Sequence, residues 1–337
     1  MSKASKNDKA ERFVRPTLVK AHTRPVVCVV FNKEGDLFAT CGKDKPISLF
    51  YSRNCERIGT FDGHEGSVYE ICMDGKSKFL LSASADYTAR VWNLLTGEEI
   101  QKFEFQSPAR SVHFSNDDKM FLVVGDQAMG QQASVFLFKR GDDGEFVDNR
   151  REIARASHKG KILRARFVDN NENVLTMGDD GYLRKFSVES GEQVAEVRAS
   201  REALTHMKLS PDQCMVLVGS KDMNARLFDV ETLELLKTYK TDTPVNGVDF
   251  HPTRDIIVLG GGQDARDVTQ TAAASGKFES HFYHIVYEEK LYSVRGHFSP
   301  INAIAVSPDG TRFISGAEEG IARMHVFPDG FVNDNAF

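Results

Sequence analysis

The chain has 337 residues, 41% of them hydrophobic and 27% charged, with a formal net charge of −5. These are globular values that indicate no disordered or membrane class, and no apolar run approaches the roughly 18 residues of a spanning helix, so an ordinary spanning helix is excluded. An acidic body repels phosphate, so direct sequence-specific nucleic-acid binding is not expected either.

The charge is unevenly placed. Residues 1–24 carry +5 and the remainder −10. Residues 1–14 read as a basic, flexible extension without the apolar stretch of a secretory signal. Pro16–Lys20 then has the pattern of a single orphan strand. After it, seven segments share one spacing, a loop residue followed by apolar residues four, seven and nine places later. The loop residues are His22, His64, Phe105, His158, Ser200, Thr241 and His297. Their separations of 42, 41, 53, 42, 41 and 56 residues give a period near 40, with insertions in the third and sixth repeats. That period with strand alternation predicts an all-β, seven-bladed β-propeller over residues 15–327, followed by a short tail, 328–337. The last repeat runs out of sequence before a fourth strand, so the orphan strand is expected to pair with its exposed edge as an N-terminal latch.

Within a repeat, polar residues recur at fixed places. In blade two, His64, Ser82 or Ser84, Asp86 and Trp92 are spaced to form a buried relay of imidazole, hydroxyl, carboxylate and indole. The partner 22 residues after the loop position is Asp44, Asp86, Asp180, Asp222 or Glu319, while Gln127 and Gln263 fall there in blades three and six. Phe50, Phe186 and Phe228 take the place of Trp92 in blades one, four and five. The relay is expected to be structural.

The chemistry-bearing candidates are few. Five cysteines (28, 41, 55, 72 and 214) form no CxxC pair, which points away from a disulfide framework or zinc site and towards a reducing cytosol. VLGGGQDARDVTQTAAASGK in blade six has glycines, but Lys277 is followed by Phe278 where a phosphate loop needs Ser or Thr opening a helix. His281 and His284 are three apart on a predicted strand, so they face opposite ways and cannot share a metal. No cofactor, metal or catalytic residue is expected. The propeller face opposite the His/Asp loops gathers Asp212, Asp229, Glu231 and Glu234 in blade five, with Leu227 and Phe228 on the adjoining strand. An acidic rim beside apolar strand residues suits a helix presenting aromatic and basic side chains. Gln263 is a further expected assembly contact in the blade-six insertion.

The repeats resemble the WD-repeat family from about Arg15 to Phe327. The blade-six insertion LGGGQDARDVTQTAAASGKFESHFYH, with RGHFSPINAIAVSPDG, KDMNARLFDVETLELLKTYKTDTPVN and the opening RPTLVKAHTRPV, is similar to subunit i of eukaryotic translation initiation factor 3. That resemblance implies a noncatalytic, cytoplasmic scaffold, monomeric within a hetero-oligomer. It also implies binding of the C-terminal helix of subunit b and of subunit g, in a complex that assembles on the small ribosomal subunit and supports scanning. The basic extension and the ending FPDGFVNDNAF depart from the family pattern. The competing reading is a generic WD-repeat adaptor or phosphopeptide or degron receptor, which calls for an arginine cluster facing the central channel.

Overall fold

The structure, a computed structural model, describes residues 15–128, 130–141, 144–155, 157–262 and 278–328. A short strand, β1 (Thr17–Val19), comes first. Blade one is β2 (Val26–Phe31), β3 (Leu37–Gly42), β4 (Ile47–Tyr51) and β5 (Arg57–Phe61). Blade two is β6 (Val68–Met73), β7 (Phe79–Ser84), β8 (Thr88–Asn93) and β9 (Glu99–Glu104). Blade three is β10 (Ala109–Phe114), β11 (Met120–Gly125), β12 (Ser134–Lys139) and β13 (Arg151–Ile153). Blade four is β14 (Ile162–Val168), β15 (Asn173–Gly178), β16 (Tyr182–Ser187) and β17 (Gln193–Arg198). Blade five is β18 (Leu204–Leu209), β19 (Met215–Ser220), β20 (Asn224–Asp229) and β21 (Leu235–Lys240). Blade six is β22 (Val245–Phe250), β23 (Ile256–Gly261), β24 (Glu279–His284) and β25 (Lys290–Arg295). Blade seven is β26 (Ile301–Val306), β27 (Arg312–Ala317) and β28 (Ala322–Val326), with β1 as its fourth strand.

Each blade is an antiparallel meander, and the first strands neighbour one another in chain order until β26 meets β2, giving the expected all-β seven-bladed propeller. The burial patterns follow from that ring. Second strands such as Phe79–Ser84 are buried at nearly every position because both faces meet a neighbouring blade. Fourth strands such as Glu99–Glu104 are mostly exposed because they form the outer wall. The apolar clusters straddle blades: Leu81 and Val91 of blade two pack with Val112, Phe121 and Phe138 of blade three. In the same way Ala303, Ile314 and Met324 of blade seven pack with Val26, Val29 and Phe38 of blade one.

Every first strand is bulged near its start, between Val26 and Cys28, between Val68 and Glu70, and so on around the ring. The seven extra residues, from Val27 and Tyr69 to Asn302, line one end of the central channel together with Arg164. Ring closure is by β1, whose Thr17, Leu18 and Val19 oppose Met324, Arg323 and Ala322 of β28.

The two insertions differ. In blade three, Phe146 of the second bulge is buried against Phe79, Phe114 and Phe121, with the Arg140 guanidinium stacked over it. That segment is therefore packed into the core between blades two and three. In blade six, Gly260 and Gly261 belong to β23, where a Cβ on Gly261 would fall 1.9 Å from the Pro244 carbonyl oxygen. These glycines allow close packing of backbone on backbone. Gln263 and Lys277 lie outside the described residues, as do the extension 1–14 and residues 329–337.

Deleting residues 1–20 removes β1 and leaves β28 as a bare edge, so we expect a lower melting temperature and lower solubility than for deletion of residues 1–11. Equal melting of the two truncations in scanning fluorimetry would show that the β1–β28 pairing does not hold the ring.

Candidate functional site

The polar relay assembles in blade two with all four residues in contact. His64 Nδ1 lies 2.8 Å from Asp86 Oδ2, and His64 Nε2 lies 2.7 Å from Ser82 Oγ. The Trp92 indole N–H donates to the same Ser82 oxygen at 2.9 Å. Asp86 also accepts from the Glu65 backbone N–H at 2.9 Å and the Thr88 hydroxyl at 2.6 Å, which ties the loop entering the blade to the next turn. Ser84 instead sits beside the Asp86 backbone N–H.

The same arrangement recurs at an 18- and 22-residue spacing. His22 bridges Asp44 and Thr40, His158 bridges Asp180 and Thr176, and His297 bridges Glu319 and Ser315. In blade four the space for the imidazole exists only because residue 178 is glycine, since a Cβ there would fall 2.1 Å from His158 Nδ1. Blade five contracts the relay to hydroxyls, with Ser220 donating to Ser200 and Ser200 to Asp222. Where the loop residue is not histidine, the hydroxyl position is apolar too, at Val123, Val218 and Leu259. Blade three has Phe105 packed on Phe136, and its carboxylate is Asp126, one residue before Gln127, which holds Arg110 at 2.6 Å and 2.9 Å.

One component escaped the sequence reading. An arginine four residues after the carboxylate completes the relay in four blades: Arg90 with Asp86, Arg184 with Asp180, Arg226 with Asp222 and Arg323 with Glu319. The repeated pattern of Asp or Glu, three residues, then Arg is visible in the sequence and would have revealed it. In blade one Ser48 stands at that place, and its buried hydroxyl has no partner.

Imidazole, hydroxyl and carboxylate are also the parts of a nucleophilic triad, but this geometry does not allow that chemistry. Ser82 is fully buried, and its oxygen is shared among His64, Trp92 and the Arg90 carbonyl, so a substrate carbonyl cannot reach it. Among the described residues, no group of three or more His, Cys, Asp or Glu could hold a metal ion. No helix in the described residues is long and apolar enough to cross a membrane.

On the opposite face the structure brings Asp212 and Asp229 to one open groove of about 840 Å³ between blades four and five. Asp212 lies in the β18–β19 turn, where it accepts hydrogen bonds from the Ser210 hydroxyl and the Cys214 N–H. Asp229 accepts from the Thr232 N–H at 2.8 Å and its hydroxyl at 2.9 Å. These turn bonds, led by the Ser210 hydroxyl and the Thr232 N–H respectively, hold both carboxyls below the usual range. Both side chains line the groove. Glu231, and from blade four Asp169 and Glu172, add three more carboxylates, while Lys185 is already bound to Asp169 at 2.9 Å.

The apolar half of the sequence expectation needs correction. Leu227 and Phe228 are each 1% exposed, on opposite faces of β20, and are packed in the cores towards blades six and four. Strand alternation in a sheet covered on both faces buries them both, so neither can meet a partner. Val194 of β17, at 60%, is an exposed apolar residue on the groove wall.

In the channel, Arg164 and Arg166 face Glu70, whose Oε1 accepts from both guanidinium groups, at 2.6 Å from Arg166. Arg166 and the Nη1 end of Arg164 are thus engaged with a buried carboxylate.

The relays carry a pH dependence. Burial is the largest cause holding His22, His158 and His297 below the usual imidazole value. As pH falls below about 6.5 the unfolded chain therefore binds protons that the folded chain does not, and stability drops. Burial alone would raise Asp180, but the His158 bond and its other partners outweigh it and bring it down to about 2. Asp86 and Glu319 are lowered in the same way, so further loss follows as these carboxylates protonate. We expect the melting temperature to fall continuously from pH 7 to pH 4. A flat profile over that range would contradict relays that are neutral at histidine and ionised at the carboxylate. Asp86→Ala is expected to cost about 1–3 kcal/mol in urea unfolding, by leaving buried donors unpaired.

The comparisons with known proteins agree on one family. A family model described as EIF3I matches residues 14–335. The eukaryotic translation initiation factor 3 subunit I of Kluyveromyces lactis is 37% identical over 320 residues, covering 93% of this chain and 92% of its own. The proteins of that name from Schizosaccharomyces pombe and Drosophila melanogaster are 38% and 37% identical, each over 93% of this chain and 97% of their own. With matches across nearly the whole propeller at that identity, the chain belongs to the family of subunit I of eukaryotic translation initiation factor 3.

Proposed function

We propose that the chain is a noncatalytic, cytoplasmic scaffold subunit of translation initiation factor 3. In this reading it binds the C-terminal helix of subunit b, and subunit g, and so supports assembly on the small ribosomal subunit and scanning. The observation that carries the subunit b part is the groove between blades four and five. Five carboxylates line it against one lysine that is already paired, and Val194 offers an apolar contact. A helix with a basic and aromatic face complements such a surface in charge, which raises its association rate and fixes its register.

Asp212 and Asp229 each have one oxygen in a turn, so a test must separate charge from folding. Asp212→Asn with Asp229→Asn keeps an acceptor oxygen for each turn and removes two charges. We expect calorimetry with the C-terminal segment of subunit b to show roughly tenfold weaker binding for this double variant, with unchanged melting. The Lys versions at the same positions are expected to abolish binding. Unchanged affinity in both would move the interface elsewhere on the ring.

A further inference from the structure

The central channel holds an excess of positive charge that neither the relays nor the groove uses. Its wider part is a cavity of about 380 Å³ lined by the first strands. Arg164, Arg166, Lys208 and His206 line it from β14 and β18, His113 from β10 and Glu70 from β6. Glu70 is its one lining carboxylate, and both its oxygens are committed, Oε1 to the two arginines and Oε2 to the Val112 N–H. Asp249 of β22 is bound by Lys208 at 3.2 Å and by the Val306 N–H at 2.9 Å. Arg164 gives only its Nη1 to Glu70, so its remaining N–H groups have no protein partner among the described residues.

Two imidazoles complete the cavity. His206 is 7% exposed, and its Nδ1 is buried without a hydrogen-bond partner; His113 Nδ1 is likewise unpartnered. Both rings line the cavity with Nδ1 turned away from its accessible surface. Facing three cations, a bound group is best an anion with several acceptor oxygens.

We propose that this cavity binds a small phosphate-class oxyanion, held by Arg164, Lys208 and the His206 imidazole, with the Glu70–Arg166 pair as its fixed wall. The volume suits inorganic phosphate or a small phosphate monoester and lies at the low end for small-molecule sites. The acidic exterior makes the site selective for entry by small ions, because a long polyanion would meet the carboxylates around the rim. Asn116 and Gln213, joined by reciprocal amide hydrogen bonds of 2.7 Å and 2.9 Å, line both this cavity and the acidic groove. Burial, followed by Arg164, Arg166 and Lys208, keeps His206 well below the usual imidazole value. A bound oxyanion offsets those cations, so occupancy should raise it.

The test is proton NMR of the histidine C2–H signals of the full chain, titrated with inorganic phosphate against chloride at equal ionic strength. A second titration with glycerol phosphate distinguishes the free ion from an ester. The expected result is a saturable shift of the His206 and His113 signals and a rise in the His206 titration midpoint. Lys208→Gln should weaken the apparent Kd roughly tenfold. Lys119→Gln, which changes a charge that does not line the cavity, should leave it unchanged. Lys208 is half-exposed, so its variant is expected to fold even if Arg164→Gln does not. Shifts that do not saturate, or a Kd that Lys208→Gln leaves unaltered, would mean that the imidazoles face water only and would overturn the site.

Discussion

A four-stranded blade is too thin to bury itself. Each sheet here has two apolar faces, and a side chain such as Val91 or Ile314 is dry only because the neighbouring blade covers it. The ring must therefore close before any blade is fully buried. Closure falls to blade seven, where three residues near the start of the chain pair with β28 and Val19 enters the shared core of blades seven and one. Bulges at the start of every first strand are the local expression of the same constraint. They turn the strand into the ring and leave one residue per blade pointing to the channel mouth.

The relays act within that frame by fixing loops. A buried imidazole bonded at both nitrogens has one orientation, and the carboxylate it meets also caps a backbone N–H of the entering loop, as Asp86 does for Glu65 and Asp44 for Thr23. In blades two, four, five and seven the arginine four residues on neutralises the carboxylate, so the relay charge there is paired. The hydroxyl and imidazole come and go together between blades, which fits a unit whose parts are costly when left incomplete. The result is a face of defined loops whose reactive-looking groups are saturated. The opposite face keeps its carboxylates open.

The Glu70 network shows what the ring adds to a set of blades. Its partners are 94 and 96 residues away, on the first strand of blade four, and they meet it only across the channel. The Asn116–Gln213 pair likewise joins turns of blades three and five. Such contacts make the channel a single polar structure shared by several blades.

How much was legible in the sequence follows from this division. Contacts inside one blade have fixed separations, so the period near 40, the 22-residue His–Asp spacing and the aromatic at Trp92 could be read before any coordinates were known. The arginine of the relay was legible by the same logic. Blade three hid its carboxylate because an insertion begins beside it, so that Asp126, and not the residue in register, holds Arg110. What lies between blades was not legible. Leu227 and Phe228 read as surface residues because strand alternation normally leaves one face wet, and only the ring covers both. The groove carboxylates Asp169 and Glu172 belong to a different repeat from Asp212 and Asp229, and no spacing in one dimension brings them together. Sequence by itself determined the repeating unit and its internal hydrogen bonds, because these are local. Only the closed ring decided which charges face one another across the channel and the groove, because those distances depend on the angle between blades.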